Sequence, residues 1–219
     1  MPVLSQGGKQ MTKALIFDFD GTMIDSEWLF YESINTYLSE QFDYQISLAE
    51  YQLGVGTAAE MSFYERMSQA VGQPVDVERF EQRILEDQKR NYATAELRPG
   101  ISELITQAYQ LDWKIGVVSN SEMRELAYYF DTHPTIKQKI DVFVTIDDLQ
   151  AGKPDPAGYL LCLKRLGVDQ AVVIEDSPVG AQAAVAAGLV TYVYPNELTA
   201  DMTFPAEVKA FRQVQEIFS

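Results

Sequence analysis

The stretch Leu15-Ile16-Phe17-Asp18-Phe19-Asp20-Gly21-Thr22-Met23-Ile24-Asp25-Ser26-Glu27 runs an apolar strand directly into two acids, a glycine and a hydroxyl. In an extended chain residues i and i+2 project to the same side, so Asp18 and Asp20 are expected to face one pocket. Gly21 lets the backbone turn sharply behind them. Paired acids at a strand end suit covalent and proton-transfer chemistry. One carboxylate attacks an electrophile, while its neighbour gives a proton to the leaving group and later takes one from water. Both charges repel an anionic substrate, so a divalent cation held by oxygen ligands is the expected neutraliser, and magnesium suits that ligand set. An acidic turn capping a helix that starts near Ser26 would carry the same residue types.

Downstream of this stretch, residues 28–95 carry helical patterns with almost no strand signal. Trp28, Leu29, Ile34, Tyr37 and Leu38 fit one helical face, Met61, Tyr64, Met67, Gln69 and Val71 a second less cleanly, and Phe80, Ile84, Leu85 and Gln88 a third. After the breaker Arg98-Pro99-Gly100, short apolar runs at 114–118, 142–145, 171–174 and 190–194 alternate with helical stretches at 101–110, 122–130, 156–166 and 178–187. This alternation predicts a doubly wound α/β fold with a parallel sheet, interrupted by an inserted α-helical cap. The expected division is a flexible tail at 1–11, a core built from 12–27 and 96–219, and a cap at 28–95.

In such sheets ligands sit beyond the carboxyl ends of the strands. The run at 116–118 ends in Ser119-Asn120-Ser121, whose hydroxyls, amide and backbone NH groups could hold phosphoryl oxygens. The run at 172–174 ends in Glu175-Asp176-Ser177, and Lys153 brings a single cation into Gly152-Lys153-Pro154-Asp155-Pro156. Each piece alone has an ordinary structural use as a turn, a helix cap or a surface lysine. Acids, hydroxyls and one lysine gathered at the same edge of one sheet point to a site.

Composition limits the partners. Lys and Arg number 17 against 32 Asp and Glu, a formal charge of −15 that repels nucleic acid and anionic lipid. Any phosphate site therefore needs local help from a metal, a lysine or backbone NH groups. Cys162 is the only cysteine, which excludes an intrachain disulfide and is consistent with a reducing cytosol. No signal peptide or membrane span is expected, so a cytoplasmic protein is the reading; monomer and dimer both stay open. His133 is the only histidine, which nearly excludes a Ser-His-Asp triad and leaves the chemistry to Asp, Glu, Lys, Ser and Thr.

With DFDGT at 18–22, DSE at 25–27, VVSNS at 117–121, GKPDP at 152–156 and VIEDSPVGAQAAVAAG at 173–188, the chain resembles the haloacid dehalogenase superfamily. Within it, the likeness is to the phosphatases and phosphomutases of the β-phosphoglucomutase-like group. The resemblance implies that Asp18 is the nucleophile, forming an aspartyl phosphate, and Asp20 the general acid and base. It implies magnesium on Asp18, the Asp20 carbonyl and Asp176, with Glu175 a supporting acid. Ser119, with Asn120 beside it, would bind the phosphoryl group, Lys153 would neutralise charge, and Gly21 and Thr22 complete the expected phosphate-binding set. Gly54, Gly56 and Thr57 are expected in the substrate-facing cap loop.

Departures from the group's patterns narrow this. Dehalogenases of the superfamily lack the second acid, which Asp20 supplies. Many mutases and sugar phosphatases of the group carry a histidine where this chain reads Trp28-Leu29-Phe30-Tyr31. The mutases grip a second phosphate with cationic cap-loop residues, whereas Gln52-Leu53-Gly54-Val55-Gly56-Thr57 has none, and no lysine there could form the Schiff base of a phosphonate hydrolase. The expected function is a magnesium-dependent phosphatase of a small phosphorylated metabolite, a sugar or polyol phosphate. A hexose-phosphate mutase and a non-catalytic binding protein are the alternatives.

Overall fold

Side chains along β1 (Ala14–Phe17) alternate between two apolar layers, and this alternation organises the molecule. Leu15 and Phe17 enter one layer with Ile101, Leu104, Leu126 and Phe130, while Ala14 and Ile16 enter the other with Tyr159, Cys162, Ala183 and Ala184. The computed structural model describes residues 13–54 and 63–218. Its sheet is wholly parallel, in the order β3-β2-β1-β4-β5-β6, with β2 Lys114–Val118, β3 Val142–Val144, β4 Ala171–Glu175, β5 Val190–Val193 and β6 Lys209–Ala210. Because β1 lies between β2 and β4, the strand order reverses there, and a crevice opens at its carboxyl end.

Between β1 and β2 the chain inserts α1 (Ser26–Phe42), α2 (Leu48–Gly54), α3 (Phe63–Val71) and α4 (Val77–Thr94), then returns through α5 (Ile101–Gln110). Ile34, Tyr37 and Leu38 of α1, Met67 of α3 and Phe80 and Ile84 of α4 bury against one another as a third apolar cluster. The expected helical faces meet here in part: Tyr64 and Val71 pack against the cluster, whereas Trp28, Leu29, Leu85 and Gln88 stay half-buried outside it, Gln69 is exposed, and Met61 lies outside the described residues. Asp76 caps α4 by accepting from the Arg79 amide at 3.1 Å. The remaining helices are α6 (Met123–Phe130), α7 (Pro134–Lys137), α8 (Ala157–Leu166), α9 (Pro178–Ala186) and α10 (Gln215–Phe218).

All five expected strands are present within two residues of their boundaries. β4 runs one residue further than expected, so Glu175 closes the strand and pairs with Val193. The sixth strand carries no apolar signal, since both of its residues are exposed. Tyr129 and Phe130 pack on Phe19 with ring centroids 5.7 and 5.4 Å away, and His133 stacks on Tyr129 at 4.1 Å. These rings serve the core, and the lone histidine is no part of the crevice. Among the described residues, no helix is long and apolar enough to cross a membrane.

Candidate active site

The ladder of β1 extends one step past its last residue, where the Asp18 amide donates to the Ile174 carbonyl at 3.0 Å. This fixes the Asp18 backbone beside β4 and buries its carboxylate, which accepts from Lys153 Nζ through Oδ1 at 2.5 Å. Among the described residues nothing donates to Oδ2, and Asp18 lines a cavity of about 700 Å³ at the crevice. Lys153 also donates to Glu175 Oε1 at 2.7 Å, so one buried ammonium bridges two buried carboxylates. Burial opposes the lysine's charge, but Asp18 and Glu175 outweigh it and hold the ammonium well above its usual range. Burial pushes Asp18 up to about 7 despite the attraction of Lys153, with Glu175 and Asp20 adding to the rise.

Glu175 is fully buried and saturated. Oε1 takes Lys153 and the Tyr159 hydroxyl (2.9 Å), while Oε2 takes the Asp176 and Ser177 amides (3.0 and 3.2 Å) and the Ser177 hydroxyl (3.1 Å). α9 packs directly on it: a Cβ at Gly180 would lie 1.7 Å from Oε1. Asp176 accepts from Thr22 Oγ1 at 3.1 Å and from Asn196 Nδ2 at 2.7 Å. Burial, with Asp18 and Glu175 close by, raises Asp176 well above the ordinary carboxylate range.

Asp18, Glu175 and Asp176 each offer an oxygen within 4.8 Å of the others. Three buried carboxylates around one ammonium leave excess negative charge on hard oxygen donors, and a magnesium ion fits that donor set. Glu175, with five donors already on it, serves this group as a charge that fixes Lys153 and the turn into α9. The carboxylate of Asp20 stands outside the group.

Asp20 faces the same cavity, as its i+2 spacing from Asp18 predicts, but on different partners. Ser119 and Ser121 donate to Oδ2 at 3.0 and 2.7 Å, and Tyr92 of α4 donates to Oδ1 at 2.8 Å. The Asn120 amide is spent on Lys153, accepting from its backbone NH at 2.8 Å and donating to its carbonyl at 3.4 Å. Asn120 thus sets the loop that delivers the lysine, while its residue also borders the cavity.

Gly21 and Thr22, expected on the phosphate, instead lie behind Asp176; both are buried and neither lines the cavity. Gly21 has φ +76°, and a Cβ there would fall 2.4 Å from Asp176 Oδ2 and 2.7 Å from Asn196 Nδ2. Gly21→Ala is therefore expected to cost about 1–3 kcal/mol and to depress activity by displacing Asp176, checked by thermal denaturation beside an activity assay. Gly54 ends α2 and is not in a loop; Gly56 and Thr57 lie outside the described residues.

Four supporting residues escape a reading by motif. Asn196 holds Asp176, and its own Oδ1 is locked by the Leu198 and Thr199 amides at 2.9 and 3.1 Å. It follows β5 by three positions, so the strand-end rule applied to a fifth strand would have found it. Arg98 donates to the carbonyls of Gly21, Tyr194 and Pro195 and stacks on the Tyr194 ring at 3.8 Å, tying the loops after β1 and β5 together. Tyr159 and Tyr92 carry no local signal, because each meets its acid only through the fold.

The order of acids, lysine and hydroxyls along the sheet edge now has a counterpart among known proteins: residues 15–193 match the haloacid dehalogenase-like hydrolases. The chain belongs to that family. Bacillus subtilis YhcW is 32% identical over 196 residues, 89% of this chain and 88% of that one. A relative from Thermotoga maritima, named phosphorylated carbohydrates phosphatase, is 30% identical over 182 residues, covering 81% of this chain and 82% of its own. Among solved structures, a point variant of CbbY from Rhodobacter sphaeroides in complex with xylulose-1,5-bisphosphate superposes with a TM-score of 0.74 at 25% identity, covering 94% of this chain and 96% of that one.

Proposed function

We propose that this haloacid dehalogenase-like hydrolase is a magnesium-dependent phosphatase of a small sugar or polyol phosphate, working through an aspartyl phosphate on Asp18. The observation that carries the reading is the division of labour at one cavity. Asp18 is tethered by Lys153 through one oxygen, with the other left for the ligand, and Asp20 stands on three hydroxyls beside it.

In the first step an Asp18 oxygen attacks phosphorus, the bond from phosphorus to the ester oxygen breaks, and protonated Asp20 gives its proton to the departing alkoxide. In the second step water attacks phosphorus, its proton passes to the Asp20 carboxylate, and the bond to Asp18 breaks to release phosphate. Lys153 offsets charge on Asp18 throughout, in a buried setting where such charge is poorly screened. Ser119 supplies a hydroxyl at the same edge. Asp18, Asp176 and the Asp20 carbonyl would hold magnesium, which when bound adds positive charge opposite the phosphoryl oxygens. The helical insertion would act as the cap that excludes bulk water.

Hydrolysis is favoured over mutase transfer by charge. Lys153 is the one cation among the described residues lining the cavity, and it is already engaged by Asp18 and Glu175. The segment 52–62 contains no Lys or Arg, so it adds no grip for a second phosphate. The relative named for phosphorylated carbohydrates supports the substrate class. A non-catalytic binder would have little use for both Asp18 and Asp20.

A screen of sugar and polyol monophosphates, with free phosphate as readout, tests the reading. Stoichiometric phosphate release is expected, and chelation of magnesium should stop it. Isomerisation of a hexose phosphate that depends on a bisphosphate primer would overturn hydrolysis, and indifference to chelator would overturn the metal role.

A further inference from the structure

The cavity that holds Asp18 and Asp20 is polar where Ser119, Lys153 and Asp176 surround the nucleophile, but its exposed rim is apolar. Phe30 of α1, Val179 of α9 and Met202 of the turn after β5 line it while remaining 38%, 43% and 37% exposed. Eight large apolar side chains are exposed among the described residues, and three of them, distant in sequence, border this one cavity. Isolated apolar side chains on a surface are ordinary, whereas three gathered beside a reacting carboxylate make a contact surface for what that carboxylate attacks.

The rim is fixed by neighbours of the reacting groups. Val179 lies in the first turn of α9 after Ser177, whose hydroxyl donates to Glu175 Oε2 at 3.1 Å and accepts from the Gly180 amide at 3.1 Å. Met202 follows the turn from which Asn196 holds Asp176, and its amide donates to the Thr199 carbonyl at 3.1 Å. Phe30 stands beside the Tyr51 ring, centroids 6.4 Å apart, and the Tyr51 hydroxyl donates to Glu27 at 3.2 Å. Charge in the cavity is one-sided: among the described residues, Asp18, Asp20, Glu27, Glu125 and Asp176 line it against Lys153 alone. Glu27 and Glu125 stand outside the carboxylate group suited to magnesium, so a second anion on the substrate would meet them unneutralised.

We infer that the substrate is the phosphate monoester of an uncharged alcohol with a hydrocarbon portion, an alkyl-bearing sugar or polyol, whose apolar part lies on Phe30, Val179 and Met202. The inference rests on the phosphatase reading above and narrows its leaving group. Covering the rim takes apolar surface of both partners out of water, which is worth about threefold in affinity for each methylene buried. That gain is made away from the reacting atoms and persists in the transition state, so it appears in kcat/KM. The same three side chains offer no strong hydrogen bond, so a fully hydroxylated leaving group would lose water there without replacing it.

Ethyl, butyl and hexyl phosphate form the test series, because the acidity of the alcohol barely changes along it while the hydrocarbon grows. From ethyl to butyl, kcat/KM is expected to rise about threefold per methylene. Phe30→Ser and Val179→Ser should each cost about fivefold or more on hexyl phosphate and less than about threefold on ethyl phosphate. Leu111→Ser, at a comparably exposed side chain outside the cavity, should leave the hexyl-to-ethyl ratio unchanged. Ending the hexyl chain in a carboxylate should lower kcat/KM about tenfold or more. A flat or falling series in the parent, an unchanged ratio in both cavity variants, or faster turnover of the carboxylate ester would overturn the inference. If the parent releases no phosphate from any monoester, the phosphatase reading fails and takes this inference with it. A parent that cleaves sugar phosphates but gains nothing along the series leaves that reading intact and removes only the apolar leaving group.

Discussion

Asp18→Asn is expected to abolish turnover, lowering kcat by roughly 10⁴-fold or more, while the protein becomes more stable in the absence of metal. Asparagine preserves the shape and the backbone bond to Ile174, but its amide cannot form the acyl phosphate. The stability gain follows from burial. Asp18 is held near 7 in the folded chain against an ordinary value of 3.8, so the ionised form burdens the folded state. The sign is that of a raised acid: the folded state binds the extra proton between about pH 4 and 7, and stability falls as pH rises through that window. Asparagine removes the share of this dependence that Asp18 contributes, while Asp176, also raised by burial, keeps its own. Phosphate release and chemical trapping of the phosphorylated enzyme check the first half, and melting temperatures across pH in chelator check the second. Full turnover in Asp18→Asn would end the covalent mechanism, and a lower melting temperature at neutral pH would contradict the electrostatic account.

The carboxylates could be read from the chain because they obey short-range rules. Asp18 and Asp20 follow an apolar strand at i+2 spacing, and Glu175 and Asp176 end another, so topology alone brings them to one edge. The same reasoning placed Ser119 and Lys153 at that edge. It could not say what each side chain touches there. Asn120 and Thr22 carry groups suited to phosphate, yet Asn120 is bonded to the Lys153 backbone and Thr22 to Asp176, contacts that the fold creates and the local sequence does not announce. Tyr92 lies 72 residues from Asp20, and that contact exists only because α4 returns to the sheet. β6 was illegible for another reason: its two exposed residues add backbone pairing to β5 without burying a side chain, so hydrophobic periodicity carries no trace of it.

Lys153→Met tests the charge balance on which the site depends, and it is expected to damage stability as well as activity. Methionine fills a similar volume with no charge, leaving Asp18 and Glu175 buried without the ammonium now 2.5 and 2.7 Å from them. Removing one partner of a buried ion pair costs about 3–5 kcal/mol, and loss of a charge-stabilising donor at the reacting group costs about 10²–10³-fold in kcat. Urea unfolding in chelator should show the loss, and added magnesium should recover part of it, because a cation bound only by the folded state stabilises by mass action. Pairing the change with Glu175→Gln separates the two effects. The double variant removes opposite charges together, so it should regain stability relative to Lys153→Met while remaining inactive, since Asp18 still lacks its cation. An unchanged unfolding midpoint in Lys153→Met would mean that Asp18 and Glu175 are already neutralised by protons, leaving Lys153 no structural charge to balance.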